Sequence, residues 1–127
     1  MRLIKVAASL QRLFDDYQQA FLSLSADAIC NCYQLPCVIT DADGRNEFIE
    51  YEALLTKFNQ NCGKLAQMEL QSVSFRFVSI APINEQQFQV KLVWQLVLAD
   101  KQLDVMFDYL CLQDDQEWRI NTASVCG

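Results

Sequence analysis

Three residues of this sequence have side chains suited to acid-base chemistry: Tyr17, Asp41 and Asp108. Tyr17 lies in a stretch with helical spacing, Asp41 directly follows a β-branched run, and Asp108 lies inside a late apolar run. A carboxylate can take a proton from carbon, and a phenol or a neutral carboxyl can donate a hydrogen bond to an oxygen that gains charge. If folding brings the three side chains together, they form a candidate proton-transfer site.

Each of the three residues also has an ordinary structural interpretation. Tyr17 lies on the apolar stripe of its helix, which suits a core tyrosine whose hydroxyl bonds a backbone carbonyl. Asp41 begins an Asp-Ala-Asp-Gly turn, where aspartates bond nearby amides. A buried Asp108 would be neutral or would pair with an arginine such as Arg76 or Arg119. The sequence alone leaves both interpretations open.

Length and composition predict one domain, residues 1–127, with a single core. The chain has 127 residues, of which 52% are hydrophobic, and this is enough apolar material for one core. Its formal net charge is -6, with the basic residues scattered, so a phosphate backbone would be repelled. Nucleic acid is therefore not an expected partner.

The apolar runs are short. None approaches the roughly 20 residues that a membrane span needs, and the apolar run near the N-terminus is too short for a secretory signal. The sequence therefore predicts a cytoplasmic protein with no membrane partner.

The six cysteines are expected to be free thiols that pack as small apolar side chains. The chain is too rich in aliphatic residues for a disulfide scaffold. It has no histidine and no Cys-x-x-Cys pair, which removes the common zinc patterns. We therefore expect no metal. The cysteines are Cys30, Cys32, Cys37, Cys62, Cys111 and Cys126.

Three helices are predicted in the first half of the chain. Apolar residues three and four apart indicate a helix over about residues 9–24. Ser25 is placed to cap a second, shorter helix, and Pro36 would end that helix at or before Leu35. A third apolar stripe begins at Tyr51, and Gly63 is predicted to end its helix in the left-handed conformation.

The strands are predicted from a period of two. Residues 37–40 and 46–49 flank the Asp-Ala-Asp-Gly turn as a hairpin, and four long antiparallel strands follow from Leu65 onward. The third of these, Leu103 to Leu112, is apolar on both faces apart from its aspartates. Such a strand needs cover on both sides. The helices would cover one face, and a second copy of the chain would cover the outward face of the last strands, which predicts a homodimer.

The order of these elements resembles that of the nuclear transport factor 2, ketosteroid isomerase and polyketide cyclase superfamily. Its local marks are Tyr17 with Phe21 on the first helix, Tyr33 to Pro36 entering the first strand, and Trp118-Arg119-Ile120 opening the last. The resemblance covers nearly the whole chain. It implies a cystatin-like α+β fold, a cone-shaped, strongly curved antiparallel sheet with three N-terminal helices on its concave face.

The same resemblance implies roles for the three candidate residues. In ketosteroid isomerases a tyrosine on the first helix, an aspartate ending the first strand and an aspartate in the penultimate strand carry the reaction, and Tyr17, Asp41 and Asp108 look like matches. Asp41 would be the base, with Tyr17 and a neutral Asp108 as donors. Such an enzyme would be a cofactor-independent isomerase or cyclase. This sequence departs from the pattern at Asp43, a second acidic residue beside the presumed base.

Two functions follow as hypotheses. The first is a domain that binds a small apolar molecule in the mouth of the cone, with or without proton transfer; the expected pocket residues are Phe58, Trp94, Met106 and Leu110. The alternative is a non-enzymatic dimeric binding or scaffold domain that works through its sheet. The absence of histidine, the commonest general base, favours this alternative.

Overall fold

The computed structural model describes residues 2–126 and the side chains of residues 4–126. It confirms the predicted α+β class. Three helices and six strands follow one another along the described chain in the order α1 (Arg2–Leu22), α2 (Ala26–Cys30), β1 (Tyr33–Asp41), β2 (Gly44–Phe48), α3 (Tyr51–Gln67), β3 (Ser72–Asn84), β4 (Gln87–Val97), β5 (Gln102–Asp114) and β6 (Glu117–Val125).

The six strands form one curved, open sheet in the order β2-β1-β6-β5-β4-β3. The predicted β1–β2 hairpin is present, with Asp41 opposite Gly44, and β3 to β6 form an antiparallel meander. Strand β1 pairs with β6 in parallel, so the expectation of a wholly antiparallel sheet was wrong. This pairing places the hairpin beside the last strand, where Asp41 reaches the same side of the sheet as the helices.

Helix α1 begins earlier and ends earlier than predicted. It starts at Arg2 rather than near residue 9 and ends at Leu22 rather than Leu24. Leu24 has a φ of 54°, and the Ser25 amide donates to the Ala20 carbonyl at 3.0 Å. The left-handed conformation of Leu24 lets the following amide bond a carbonyl in the last turn of the helix, although the residue is not a glycine. Ser25 then caps α2 as predicted, its side chain accepting from the Ala28 amide.

The prediction that Gly63 ends the third helix was wrong. Helix α3 continues through Gly63 to Gln67, and Glu69, with a φ of 55°, is the left-handed residue beyond its end. Leu65 and Met68 prolong the apolar stripe past the glycine and line the same cavity as Phe58. Packing of the whole stripe outweighs the roughly 1 kcal/mol that a glycine costs inside a helix.

Pro36 does not set the end of α2, which stops at Cys30, six residues earlier. It lies inside β1, where the pairing with β6 shifts register between Tyr33 and Val38. Proline has no amide hydrogen for a sheet ladder, so such an irregularity is where a strand tolerates it.

The core lies between the helices and one face of the sheet. Leu10 and Phe14 of α1 and Leu54 of α3 pack there, fully enclosed. On β5, Tyr109 and Cys111 face this core. Neighbouring side chains on a strand point to opposite faces, so Asp108 and Leu110 face away from the helices. This parity decides which predicted site residues can meet.

All six cysteines have free thiols, and five of them are buried. Burial raises the pKa of the Cys30 thiol to about 11 and that of the Cys32 thiol to about 12, so both stay protonated at neutral pH. Protonated, enclosed thiols pack as small apolar groups and react slowly. Within residues 2–126, no helix is both long and apolar enough to cross a bilayer.

Candidate functional site

A cavity of about 270 Å³ opens between α1, α3 and the helix-facing side of the sheet. Its inner end is formed by Tyr17, Tyr33, Trp94 and Tyr109, all of them buried. Its outer end is formed by Asn61 and Lys64 of α3, and Lys57 and Asp41 line one side of the cavity near the β1–β2 turn. The walls between the two ends are apolar and are formed by Phe21, Ile39, Phe58, Leu65, Met68, Leu96, Val105, Phe107 and Ala123.

Three tyrosines and a tryptophan share hydrogen bonds at the inner end. The hydroxyls of Tyr17 and Tyr33 lie 2.6 Å apart, and the indole Nε1 of Trp94 donates to the Tyr109 hydroxyl at 2.7 Å. The rings contact each other edge to face, Tyr17 against Tyr109 and against Trp94. These contacts fix the hydroxyls in a rigid apolar setting.

Burial keeps these phenols in the neutral form. Enclosure in the core raises the pKa of Tyr17, Tyr33 and Tyr109 well above the usual value near 10, because a buried phenolate would lose its hydration. At neutral pH each hydroxyl therefore keeps a hydrogen to donate. The inner end can therefore donate hydrogen bonds, but its tyrosines do not act as general bases.

A buried ion pair lies beside the β1–β2 turn. The ammonium of Lys57, whose side chain is only 8% exposed, lies 2.8 Å from the Asp41 carboxylate and 3.5 Å from that of Asp43. Asp41 also accepts the Asp43 amide at 3.0 Å, as expected of an aspartate that begins a turn. Asp41 is thus a turn residue that also lines the cavity, and its role as a base stays a prediction. Its carboxylate is already bonded to an ammonium, which leaves fewer lone pairs for a substrate proton.

Four of the seven predicted site residues line the cavity: Tyr17, Asp41, Phe58 and Trp94. They come from α1, the end of β1, α3 and β4. The hydroxyl of Tyr17 bonds a tyrosine hydroxyl rather than the backbone carbonyl expected of a core residue. No measurement bears on their chemical roles, so these stay predictions.

The placement of the other three, Asp108, Met106 and Leu110, was wrong. They lie on the face of β5 opposite to the cavity, because Phe107 and Tyr109 between them line it. Asp108 is half-buried on that outer face and accepts the Gln89 side-chain amide at 2.9 Å. Its partner is thus an amide rather than Arg76 or Arg119. A three-residue site with Tyr17 and Asp41 is not assembled.

Sequence reasoning missed Lys57, Tyr33 and Tyr109 as cavity residues. A signal existed for Lys57, which occupies the helical stripe between Leu54 and Phe58, where a lysine must find a carboxylate if it is buried. For Tyr109 the signal was its position next to Asp108, since adjacent side chains on a strand point to opposite faces of the sheet. Tyr33 was noted only as a mark of the fold.

A second, larger hollow of about 900 Å³ lies between α1 and the β5–β6 turn. It is lined by charged residues such as Arg12, Asp16 and Arg119, and Arg119 is paired with Glu117 at 2.7 Å. Water solvates such an open groove well, so a ligand would gain little from entering it. The smaller cavity is the better candidate site.

No protein-family model matches the sequence, and no curated protein matches it. Solved structures do match the fold. An NTF-2-like protein of unknown function from Shewanella oneidensis MR-1 superposes with a TM-score of 0.78 at 16% identity, over 94% of this chain and 97% of its own. A domain of unknown function with a cystatin-like fold from Nostoc punctiforme PCC 73102 gives 0.77 at 10% identity, over 94% and 75%.

A third similar structure, a putative scytalone dehydratase from Novosphingobium aromaticivorans DSM 12444, gives a TM-score of 0.76 at 11% identity, over 98% of this chain and 85% of its own. Identities this low report architecture and not activity. The helix order, the curved open sheet and these superpositions together confirm the resemblance: the chain has the nuclear transport factor 2-like, cystatin-like fold.

Proposed function

We propose that this protein binds a small, mostly apolar molecule that carries an oxygen acceptor, such as an aryl ketone, in the cavity between α1, α3 and the sheet. The observation that carries the proposal is the cavity's inner end, where neutral tyrosine hydroxyls are held together amid apolar walls. A few fixed polar groups in an apolar concavity are typical of ligand sites.

The size of the cavity bounds the ligand. An apolar cavity of about 150 Å³ holds one benzene ring, and this cavity measures about 270 Å³. One ring with a short side chain therefore fits, whereas a four-ring steroid would exceed the space unless the walls moved.

Donor counting supports an acceptor at the inner end. Trp94 and the three tyrosines bring one N–H and three O–H hydrogens. The Trp94–Tyr109 and Tyr17–Tyr33 hydrogen bonds use one hydrogen each, so at least one hydroxyl hydrogen is left over. A ligand carbonyl oxygen placed there would satisfy it.

Binding is better supported than proton transfer. Tyr17 and Asp41 both line the cavity, but Asp108 lies on the far side of β5 and Asp41 is engaged by Lys57. Some structures with this fold are named as enzymes, among them the putative dehydratase. Their sequence identities to this chain are too low to assign it their reactions. The proposal therefore requires a ligand and no turnover.

Tryptophan fluorescence tests the proposal directly, because Trp94 lines the cavity. We expect 4-methylacetophenone to quench it in a saturable way. Val105→Phe would fill the cavity and weaken binding by at least about tenfold. Val78→Phe, at an exposed position outside the cavity, is the matched control and should bind as the parent does. Equal quenching of both variants and the parent would contradict the site.

We also propose, as the second candidate, self-association through the outer face of the sheet. Met106 lies there directly opposite Val93 on β4, and Met106 and Leu110 are both half-buried. These apolar side chains lie on the face that the three helices leave uncovered. A second copy of the chain would enclose them.

A further inference from the structure

We propose that the ligand is an anion: an apolar body with an acceptor oxygen at one end and a carboxylate at the other, the carboxylate being bound by Lys64 and Asn61 at the outer end of the cavity. This inference rests on the proposed function and deepens it by naming the ligand's second polar group.

Helix α3 presents a stripe of four residues along the cavity, three of them hydrogen-bond donors and the fourth a methionine. Lys57, Asn61, Lys64 and Met68 are spaced four, three and four residues apart, so they lie on one face of the helix, and all four line the cavity. Lys57 is buried, Asn61 is half-buried and Lys64 is exposed. The donors therefore run outward from the β1–β2 turn to the mouth.

The two lysines differ in what they can offer a ligand. Lys57 is held by Asp41 and Asp43, which already compensate its charge. Lys64, in contrast, has no carboxylate within ion-pair distance among the residues that the structure describes. Its ammonium is a free local cation on a chain whose net charge is -6. An anion that reaches this cavity would therefore find its attraction at Lys64.

The spacing along α3 sets the length of the ligand. The Phe58 ring packs against the Tyr33 ring with centroids 5.5 Å apart, so Phe58 marks the level of the inner end. Lys64 is six residues further along a helix that rises about 1.5 Å per residue, or about 9 Å. An aryl ketone with a carboxylate on a two-carbon side chain spans this distance. Its ring would lie between apolar walls that include Phe58 and Phe107.

A matched pair of probes separates charge from shape. The acid is 3-(4-acetylphenyl)propanoate and the neutral isostere is 3-(4-acetylphenyl)propanamide, both titrated by calorimetry at low salt and pH 7. We expect the parent to bind the carboxylate about five- to tenfold more tightly than the amide, the gain of one partly exposed charged contact. Lys64→Gln should remove that difference and leave affinity for the amide unchanged.

Lys101→Gln is the control, since it removes the same charge from the exposed β4–β5 turn, away from the cavity lining. It should leave the preference for the carboxylate intact. If parent and Lys64→Gln bind both probes equally, the anion inference fails while the proposed function stands. If Lys101→Gln lowers the preference as much as Lys64→Gln does, general electrostatics explain it and the inference also fails. If neither probe binds the parent, both proposals fail.

Discussion

At the scale of single residues, the cavity is defined by two kinds of polar contact in an apolar setting. The inner hydroxyls of Tyr17 and Tyr33 lie 2.6 Å apart and hold hydrogens that burial prevents them from losing. Beside the β1–β2 turn, Lys57 is buried and depends on Asp41 for its charge partner. The first contact gives the site a place for an acceptor, and the second fixes the β1–β2 turn against α3.

The Lys57–Asp41 pair should contribute more to stability than the Lys57–Asp43 pair. Asp41→Asn leaves a buried ammonium with a single partner 3.5 Å away, so we expect the free energy of unfolding to fall by about 1–3 kcal/mol. Asp43→Asn, at a side chain that is 59% exposed, should cost under about 1 kcal/mol. Urea denaturation at pH 7 measures both, and equal losses would contradict the assignment.

The tyrosines should resist ionisation in the folded state. The folded pKa values of Tyr17, Tyr33 and Tyr109 are raised by burial, so the folded chain holds phenolic protons that the unfolded chain releases near pH 10. The stability that these groups contribute is present below pH 10 and is lost as the pH rises above it.

Absorbance at 295 nm follows this ionisation. Tyr51, whose hydrogen bond to Asp27 raises its pKa to about 12, is the only surface tyrosine of the four in the chain. We therefore expect no tyrosinate signal below about pH 11 in the native protein, and release of the buried three only on unfolding. A native titration in which more than one tyrosine ionises with a midpoint near 10 would show that the inner end is open to hydroxide.

At the scale of elements, α3 is the part that makes the site. Its stripe from Lys57 to Met68 lines the cavity, and the last donor of the stripe, Lys64, requires the helix to run past Gly63. Local sequence rules favour a stop at a glycine that follows an apolar stripe. The continuation depends on Leu65 and Met68 finding a partner surface, and that surface is built by strands β4 and β5, about thirty to forty residues later in the chain.

The two described glycines give opposite predictions for the same substitution. An alanine Cβ at Gly63 meets no atom within 4 Å and the backbone is helical, so Gly63→Ala should raise the free energy of unfolding by about 0.5–1 kcal/mol. Gly44 has a φ of +92°, which strains any other residue, so Gly44→Ala should lower it by about 1 kcal/mol or more. Chemical denaturation checks both. If Gly63→Ala lowered the free energy of unfolding, that would indicate that the helix ends at this glycine.

The sequence predicted the elements well because their signals are local. Helical spacing, the Ser25 cap and the Asp-Ala-Asp-Gly turn all depend on neighbours within a few residues. The site was predicted only in part, because β5 is apolar on both faces and its period does not say which face meets the helices. Asp108 was predicted to face the cavity. Met106 and Leu110 share its face of β5, so they were predicted on the wrong side as well.

At the scale of the whole molecule, the two faces of the curved sheet differ in what covers them. Helices enclose the face that carries Tyr109, and the face that carries Met106 and Asp108 lies open. If a second copy covers the open face, sedimentation at micromolar concentration should show a species of twice 14.6 kDa.

A charge on the open face should break this association. Met106→Glu would place a carboxylate opposite Val93 and shift the equilibrium to a 14.6 kDa species without unfolding the chain. Val78→Glu, at a position that is already 46% exposed on the edge strand, should leave the assembly unchanged. A parent that sediments as a monomer at every concentration would remove the dimer.

The crystal structure of the protein soaked with 4-methylacetophenone would test the central claim, that the cavity is a ligand site, most directly. The proposal predicts ligand density between Phe58 and Phe107, with the carbonyl oxygen within about 3.2 Å of the Tyr17 or Tyr33 hydroxyl. Density in the groove beside Arg12 and Arg119 instead, or a cavity that holds only water at millimolar ligand, would contradict it.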